Sequence, residues 1–285
     1  MLMVQSGLLA ITNKQGANDG SKRSPFGIMR NALLVRLFGH TATLIHGDTM
    51  VIDRWRWLKK RLPVVRNSET FIDIGCGSGA FTIGAAKRGY ESIGLTFNPS
   101  EQNKATERAE IVGAGNVHFE VFDIRRLDTH QILHDRFDTA ICFEAIEHIL
   151  DDTKFMADLA HVLRPGGTLL LTTPNRDFRS ISGEGLDGDS GIEDGGHVRK
   201  GYTEMRLREL CSSSGLLPVE ISYCSGFLSQ KITGLLRKLS TINYYFAWLL
   251  ILPLRLLPLL LDPTIQKLSR WPGYSICLVA KRPTS

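Results

Sequence analysis

Cysteine is sparse in this chain, five in 285 residues, and Cys76, Cys142, Cys211, Cys224 and Cys277 all stand alone. Without C-x-x-C or zinc-finger spacing, a disulfide-stapled scaffold and a cysteine-paired zinc site are excluded, and reduced thiols of a cytoplasmic protein are expected. Charge of one sign is also in short supply. The formal excess is +5, with a pI near 9.0, which suits an anionic surface but does not by itself mark a nucleic-acid binder. No internal repeat or low-complexity tract is present. The first ten residues lack the basic start of a secretory leader, so none is expected. Residues 1–25, rich in Asn, Gly, Ser and Lys beyond position 11, read as a disordered N-terminus.

With 43% hydrophobic residues, the chain has enough apolar material for one large core. From residue 70 onward, apolar strand-like runs alternate with helical ones in a βαβ rhythm. Strands are expected at 70–74, 92–95, 117–122, 137–143 and 168–173, followed by 218–223 and 274–280. Helices are expected at 80–88, 99–112, 145–163 and 203–213, with a short one near 128–134. Three segments fall outside this pattern: a helical cap at 26–66, a loop at 174–202 and an apolar stretch within 226–270. In an open parallel sheet the ligand crevice lies beyond the carboxyl ends of the strands. Both internal inserts leave from such ends, so they are expected to roof the site of a domain spanning 67–285.

Phe71-Ile72-Asp73-Ile74-Gly75-Cys76-Gly77-Ser78-Gly79-Ala80 runs from a buried strand through a glycine turn into a helix. Glycines there let a nucleoside ligand touch backbone. Through Ala80 the same residues also read as the G-x-G-x-x-A form of a dinucleotide site, which keeps an NAD-dependent oxidoreductase open. Asp123 follows the third strand, and Arg164-Pro165-Gly166-Gly167 precedes the fifth. In that order and spacing, these motifs resemble class I S-adenosylmethionine-dependent methyltransferases over about residues 68–225. The similarity is closest to the ubiquinone-biosynthesis small-molecule methylases, through Phe143-Glu144-Ala145-Ile146-Glu147-His148 and through His197-Val198-Arg199 with Tyr202-Thr203.

The resemblance implies an α/β fold, a Rossmann-like doubly wound sheet of seven strands, mostly parallel with an antiparallel last strand and helices on both faces. It also implies S-adenosyl-L-methionine as cofactor. Asp73, Gly75, Cys76, Gly77 and Gly79 would form the platform for its methionine end, Asp123 and Ile124 would receive the adenine, and Phe143 would line the pocket. One departure stands at the end of the second strand, where Thr96 replaces the acid that usually grips the ribose. The run Gly94-Leu95-Thr96-Phe97-Asn98-Pro99-Ser100-Glu101-Gln102 is similar to the cyclopropane-fatty-acid-synthase variant, which makes Thr96 and Gln102 the candidates for the hydroxyl contacts. Losing that acid also weighs against NAD.

Methyl transfer requires alignment of acceptor and donor and, for an oxygen acceptor, removal of a proton. On a helix, Glu144, Glu147 and His148 would share one face by their i, i+3, i+4 spacing. Glu-x-x-Glu-His resembles a divalent-metal signature, so these three are metal candidates, with His197 as a further ligand or, like His148, a general base. His197, Arg199 and Tyr202 are candidates for the acceptor site, Arg199 being suited to a carboxylate or phosphate. His40, His46, His118, His130, His134 and His161 have no such context and are expected on the surface or in packing.

The run 244–261 is almost continuously apolar, but Pro253, Arg255 and Pro258 interrupt it. An interfacial or lid-like helical hairpin is therefore expected in place of a span, flanked by Lys231, Arg237, Lys238, Lys267 and Arg270. The basic aromatic run Asp53-Arg54-Trp55-Arg56-Trp57 suits an amphipathic covering helix better than an RNA-binding module. Together these features point to a cytoplasmic, peripherally membrane-associated enzyme that methylates a hydroxyl of a lipophilic or glycan-type small molecule. Carbon methylation of a lipid or quinone ring is the nearest alternative.

Overall fold

The computed structural model describes residues 34–45, 49–65, 69–178, 193 and 196–284. The expected disordered N-terminus, His46 and most of the 174–202 loop lie outside them. Strands β1 (Thr70–Ile74), β2 (Glu91–Thr96), β3 (Val117–Val121), β4 (Phe137–Phe143), β5 (Leu163–Pro174), β6 (Leu217–Cys224) and β7 (Ser275–Lys281) form one sheet. Their order is β3-β2-β1-β4-β5-β7-β6. β1 to β5 pair in parallel, and β7 lies antiparallel between β5 and β6. This is the Rossmann-like arrangement that the motifs imply. Strand order reverses between β1 and β4, so the crevice opens beyond their carboxyl ends.

Central strands are apolar throughout because both faces are covered. On one face Ile72, Ile74, Ala140, Cys142, Leu169 and Leu171 meet Phe155, Met156 and Leu159 of a helix at Asp152–Val162, together with Leu207 and Leu210 of a helix at Glu204–Ser213. On the other, Phe71, Ile141, Phe143, Leu170 and Cys277 meet Trp57, Leu58 and Leu62 of the N-terminal segment. In chain order the helices are α1 (His40–Ile45), α2 (Thr49–Arg61), α3 (Ala80–Ala86), α4 (Pro99–Ile111), α5 (Asp152–Val162), α6 (Glu204–Ser213), α7 (Phe227–Ser240), α8 (Tyr244–Ile251) and α9 (Leu256–Ser269). Asn98, Asp151 and Thr203 begin α4, α5 and α6 by accepting a backbone N–H of the first turn, as short polar residues do at helix starts.

The basic aromatic run forms α2, and its aromatics are structural. Trp57 is buried and its Nε1 donates to Ser222 Oγ of β6 at 2.9 Å, Arg61 pairs with Glu220 of β6, and Trp55 stacks on Phe81 of α3. Gly84 makes room for that stack, since a Cβ there would lie 2.4 Å from the Trp55 ring. Stacking of these rings on RNA bases is thereby ruled out for Trp57.

Two sequence expectations need correction. The segment 145–163 is not one helix: a single 3-10 turn, Ile146–His148, gives way to extended backbone at Ile149 before α5 starts. The apolar insert is not a hairpin but three successive helices, with a 3-10 turn at Pro253–Arg255 where proline and the buried Arg255 interrupt the run. Among the described residues no helix is long and apolar enough to cross a membrane.

Asp262 ties this insert together. From α9 its carboxylate accepts the backbone N–H groups of Leu228 and Ser229, at 2.7 and 2.9 Å, at the start of α7, and Ser229 Oγ donates to Asp53 of α2. Asp262→Ala is expected to lower stability by about 1–2 kcal/mol, the cost of a lost helix cap. Urea denaturation checks it, and an unchanged midpoint would show the cap to be dispensable.

Candidate active site

The turn after β1 is built from positive φ angles that glycine tolerates: Gly75 at 91°, Gly77 at 50° and Gly79 at 77°. The amides of Gly75 and Cys76 both donate to the Leu95 carbonyl, at 3.0 and 2.8 Å, which locks the turn onto β2. Gly79 has no space for a side chain, because a Cβ would lie 2.7 Å from Phe119 and 2.8 Å from Ala105. Gly77 is the reverse, with nothing within 4 Å of its Cβ position. Asp73 is buried and accepts from Thr82 Oγ1 at 2.7 Å. Burial raises its carboxyl to about 7, against the Thr82 hydrogen bonds that lower it. The Cys76 thiol packs with Ile83, Ala105 and Phe119, so this residue can meet a ligand through its backbone.

A cleft of about 550 Å³ extends from this turn along the strand ends, past Thr96, Asp123 and Ile124 to Glu144 and His148. Asp123 caps the following turn through Arg125 N and pairs with the Arg125 guanidinium, whose hydrogen bonds hold its carboxyl below the usual range. Two pocket candidates point elsewhere. Gln102 Nε2 donates to the Phe119 carbonyl at 3.2 Å, seaming α4 to β3, and Glu101 lines the cleft instead. The Phe143 ring packs edge-on against Trp57 and Phe81 beneath the site.

At the end of β4, Glu144 adopts the left-handed conformation with φ 50°, a strained state for a residue with a side chain. Its carboxylate accepts from Thr172 Oγ1 and Ser275 Oγ, each at 3.0 Å, and pairs with Arg54 of α2 at 3.2 Å. Glu144 therefore does not share a helical face with Glu147 and His148. The structure instead gathers Glu147, His148 and His197, whose ligand atoms lie within 4.8 Å of one another. Glu147 is fully buried, and burial, then the neighbouring Glu144, pushes its carboxyl well above the carboxylate range. One oxygen accepts from Thr173 Oγ1 at 3.1 Å. The other has no hydrogen-bond partner among the described residues, and neither does the buried His197 Nδ1.

His148 Nδ1 lies 2.8 Å from the Gly196 carbonyl and so carries the proton. That leaves Nε2 with a lone pair, 4.0 Å from Glu147 Oε1. Two acceptors facing each other need a proton or a cation between them. His197 meets the His148 ring edge-on at 4.7 Å, and burial, then His148, lowers its pKa.

Arg199 and Tyr202 do not face the cleft. Arg199 pairs with Asp152 and donates to the Ile149 and Leu150 carbonyls, both at 2.8 Å. The buried Tyr202 hydroxyl sits 3.1 Å from Asp152 Oδ2. These contacts hold the returning loop, and the Val198 amide donates to the Glu147 carbonyl at 3.0 Å. Sequence reasoning missed Arg54, Thr172, Thr173, Ser275 and Glu101. A signal existed for the threonines, polar residues ending the apolar run of β5, but none for Arg54, whose partner is 90 positions away. Of the other histidines, His40 packs on Trp55 and bonds the Ala80 carbonyl.

This sheet order and glycine turn are those of a Rossmann-like methyltransferase fold, and the chain is similar to class I S-adenosylmethionine-dependent methyltransferases. Residues 66–204 match the family described as a methyltransferase domain, and the chain is distantly similar to ubiquinone-biosynthesis O-methyltransferases. The enzyme of that name from Coxiella burnetii (strain Dugway 5J108-111) is 31% identical over 109 residues, 38% of this chain and 45% of that one. The chain thus spans less than half the length of the curated relatives it matches. Among solved structures, the 4+2 cyclase SpnF superposes with a TM-score of 0.56 at 18% identity, covering 82% of each chain. Geranyl diphosphate C-methyltransferase from Streptomyces coelicolor A3(2), with Mg2+, geranyl diphosphate and S-adenosyl-L-homocysteine, gives 0.52 at 16% identity, covering 80% of this chain and 79% of that one. At such identities these two show the fold alone.

Two predictions follow from the glycine turn and Asp73. Gly77→Leu should cost about 1–2 kcal/mol of stability yet weaken S-adenosylhomocysteine binding by about tenfold or more, whereas Gly79→Ala should chiefly destabilise. Calorimetry and urea denaturation separate the two, and equal behaviour would refute the assignment. For Asp73, a folded-state pKa raised from 3.8 to about 7 means that the native state keeps a proton the unfolded chain releases. Its contribution is greatest below about pH 4 and is lost as pH rises through about 7. Asp73→Asn should therefore gain on the wild type between those values, and a stability difference constant with pH would contradict this.

Proposed function

We propose that the protein is an S-adenosylmethionine-dependent methyltransferase acting on a hydroxyl of a lipophilic small molecule, with a divalent cation held by Glu147, His148 and His197. The observation that carries this reading is the continuity of one cleft from the glycine turn to His148. A methyl donor on the turn and an acceptor under the roof would share that space. The glycine turn fits the cofactor, because Gly77 presents backbone with no side chain between it and the cleft. When bound, S-adenosylmethionine supplies an electrophilic methyl group, and a divalent ion lowers the pKa of a coordinated hydroxyl.

The chain's own residues do the rest. Gly75 and Gly77 bound the cofactor end, Asp123 lies where the adenine amino group is expected, and Thr96 and Glu101 flank the ribose region. Glu147 and His197 fit a cation because each has a buried polar atom without a hydrogen-bond partner among the described residues, and the Gly196 carbonyl, bonded to Nδ1, leaves His148 Nε2 to ligate. A backbone carbonyl holding the other ring nitrogen is the usual support of a ligating histidine. Arg54 neutralises Glu144 beside them, so that this carboxylate adds little charge to the cluster. A lipophilic acceptor agrees with the exposed apolar side chains of the insert at 226–270. One observation favours a second reading, in which His197 is a general base: burial keeps its ring neutral, ready to take a proton from the acceptor.

The test is transfer of labelled methyl to a lipid extract, with and without a chelator, alongside S-adenosylhomocysteine calorimetry. The cation reading expects chelator to abolish transfer, added Mg2+ or Mn2+ to restore it, and Glu147→Gln to lower it about 100-fold with cofactor binding retained. Transfer that survives the chelator but not His197→Ala would favour the base. Absence of S-adenosylhomocysteine binding would overturn the methyltransferase reading itself.

A further inference from the structure

Helices α8 and α9 present an apolar face that no described residue covers. Leu249 is 66% exposed and Leu260 73%, and Phe246, Leu250, Leu256 and Leu261 are exposed beside them. Helix α8 carries no charged residue. It buries Ala247 and Ile251 against Ile232 and Leu236 of α7, turns Trp248 to the Ile45 carbonyl, and leaves Phe246, Leu249 and Leu250 exposed. A helix apolar on all sides belongs in a protein core or in lipid, and this one is on the surface.

The charges around it are one-sided. From residue 221 to 285 the sequence contains a single acid, Asp262, which is buried and occupied in capping α7. The bases of the same stretch are arranged oppositely. Lys231, Arg237, Lys238, Lys267 and Arg270 are exposed around the insert, while Arg255, in the middle of the apolar run, is drawn inward to the Ile45 carbonyl. Cations thus rim an uncharged apolar face.

We infer that this face docks on an anionic lipid bilayer, the side chains of α8 and α9 entering the acyl boundary and the rim bases meeting the headgroups. A second copy of the chain fits less well, because a self-complementary contact would bring two identical basic rims together. Nor does the insert span: α8 has eight residues, about 12 Å of helix. The inference deepens the lipophilic-acceptor reading and rests on it for its purpose, but vesicle binding is read without acceptor or cofactor, so either can fail alone.

The experiment is sedimentation of the full chain with vesicles of phosphatidylcholine, alone or mixed equally with phosphatidylglycerol. Binding to the mixed vesicles is expected, weakening as salt rises. The double variant Leu249→Glu, Leu260→Glu should lose about tenfold or more in affinity while binding S-adenosylhomocysteine as the wild type does. Should that variant fail to fold, Lys238→Glu with Lys267→Glu tests the rim, and it too should lose affinity for the mixed vesicles. No sedimentation with anionic vesicles, or wild-type binding by a folded variant, would overturn the inference. So would a concentration-dependent dimer that the leucine substitutions abolish.

Discussion

The arrangement of the cleft hangs on one half-buried carboxylate. Glu144 leaves β4 in a left-handed conformation, and its oxygens draw together Thr172 of β5, Ser275 of β7 and Arg54 of α2. Three strands and the N-terminal cap therefore meet at one side chain, at the mouth of the crevice. Removing one partner of a buried pair leaves an uncompensated charge, which costs about 3–5 kcal/mol. The same knot turns the chain so that Glu147 points inward, one oxygen without a hydrogen-bond partner among the described residues, toward His148 and His197. Strain at Glu144 thus has a visible consequence, the concentration of acceptor atoms in a small buried space.

That knot also explains why α2 belongs to the domain and is no mere appendage. The face of the sheet carrying Phe71, Ile141, Phe143 and Leu170 is closed by Trp57, Leu58 and Leu62, and burying a large apolar side chain contributes about 1.5–3 kcal/mol. The helix that closes the core also carries Arg54 to the cleft. Core packing and site electrostatics are consequently coupled through thirteen residues of one helix.

The sequence was most legible where period and punctuation agree. Apolar runs between glycine and proline turns marked the central strands, because a sheet covered on both faces leaves no alternation to confuse the reading there, while the edge strands β3 and β6 keep polar, exposed positions. The glycine turn and Asp123 were legible as lining of the cleft. Legibility failed at 144–151. The i, i+3, i+4 spacing of Glu144, Glu147 and His148 suits a helix, but the left-handed backbone at Glu144 and the capping of α5 by Asp151 are tertiary outcomes that no local period encodes. It failed again at Gln102, where a helical residue had two faces available and packing against Phe119 selected the one away from the cleft. Arg199 and Tyr202 were legible as part of the returning loop but their contacts were not: the Ile149 and Leu150 carbonyls take the guanidinium, and Asp152 meets the Tyr202 hydroxyl.

The acid-histidine cluster and the cap make different demands on the same electrostatics. Glu147 is held above its ordinary pKa by burial and by Glu144, so in isolation it favours a proton. Arg54 opposes that by compensating Glu144, and each increment of compensation makes an ionised Glu147 less costly. The His148 tautomer works in the same direction, because the Gly196 carbonyl fixes the proton on Nδ1 and leaves a second lone pair facing the acid. An added positive charge in that gap would relieve both the buried carboxylate and the facing lone pair at once, whereas a single proton between them can reside on only one partner at a time. Under the cation reading, Arg54 of the cap helix would ease ionisation of Glu147 by compensating Glu144.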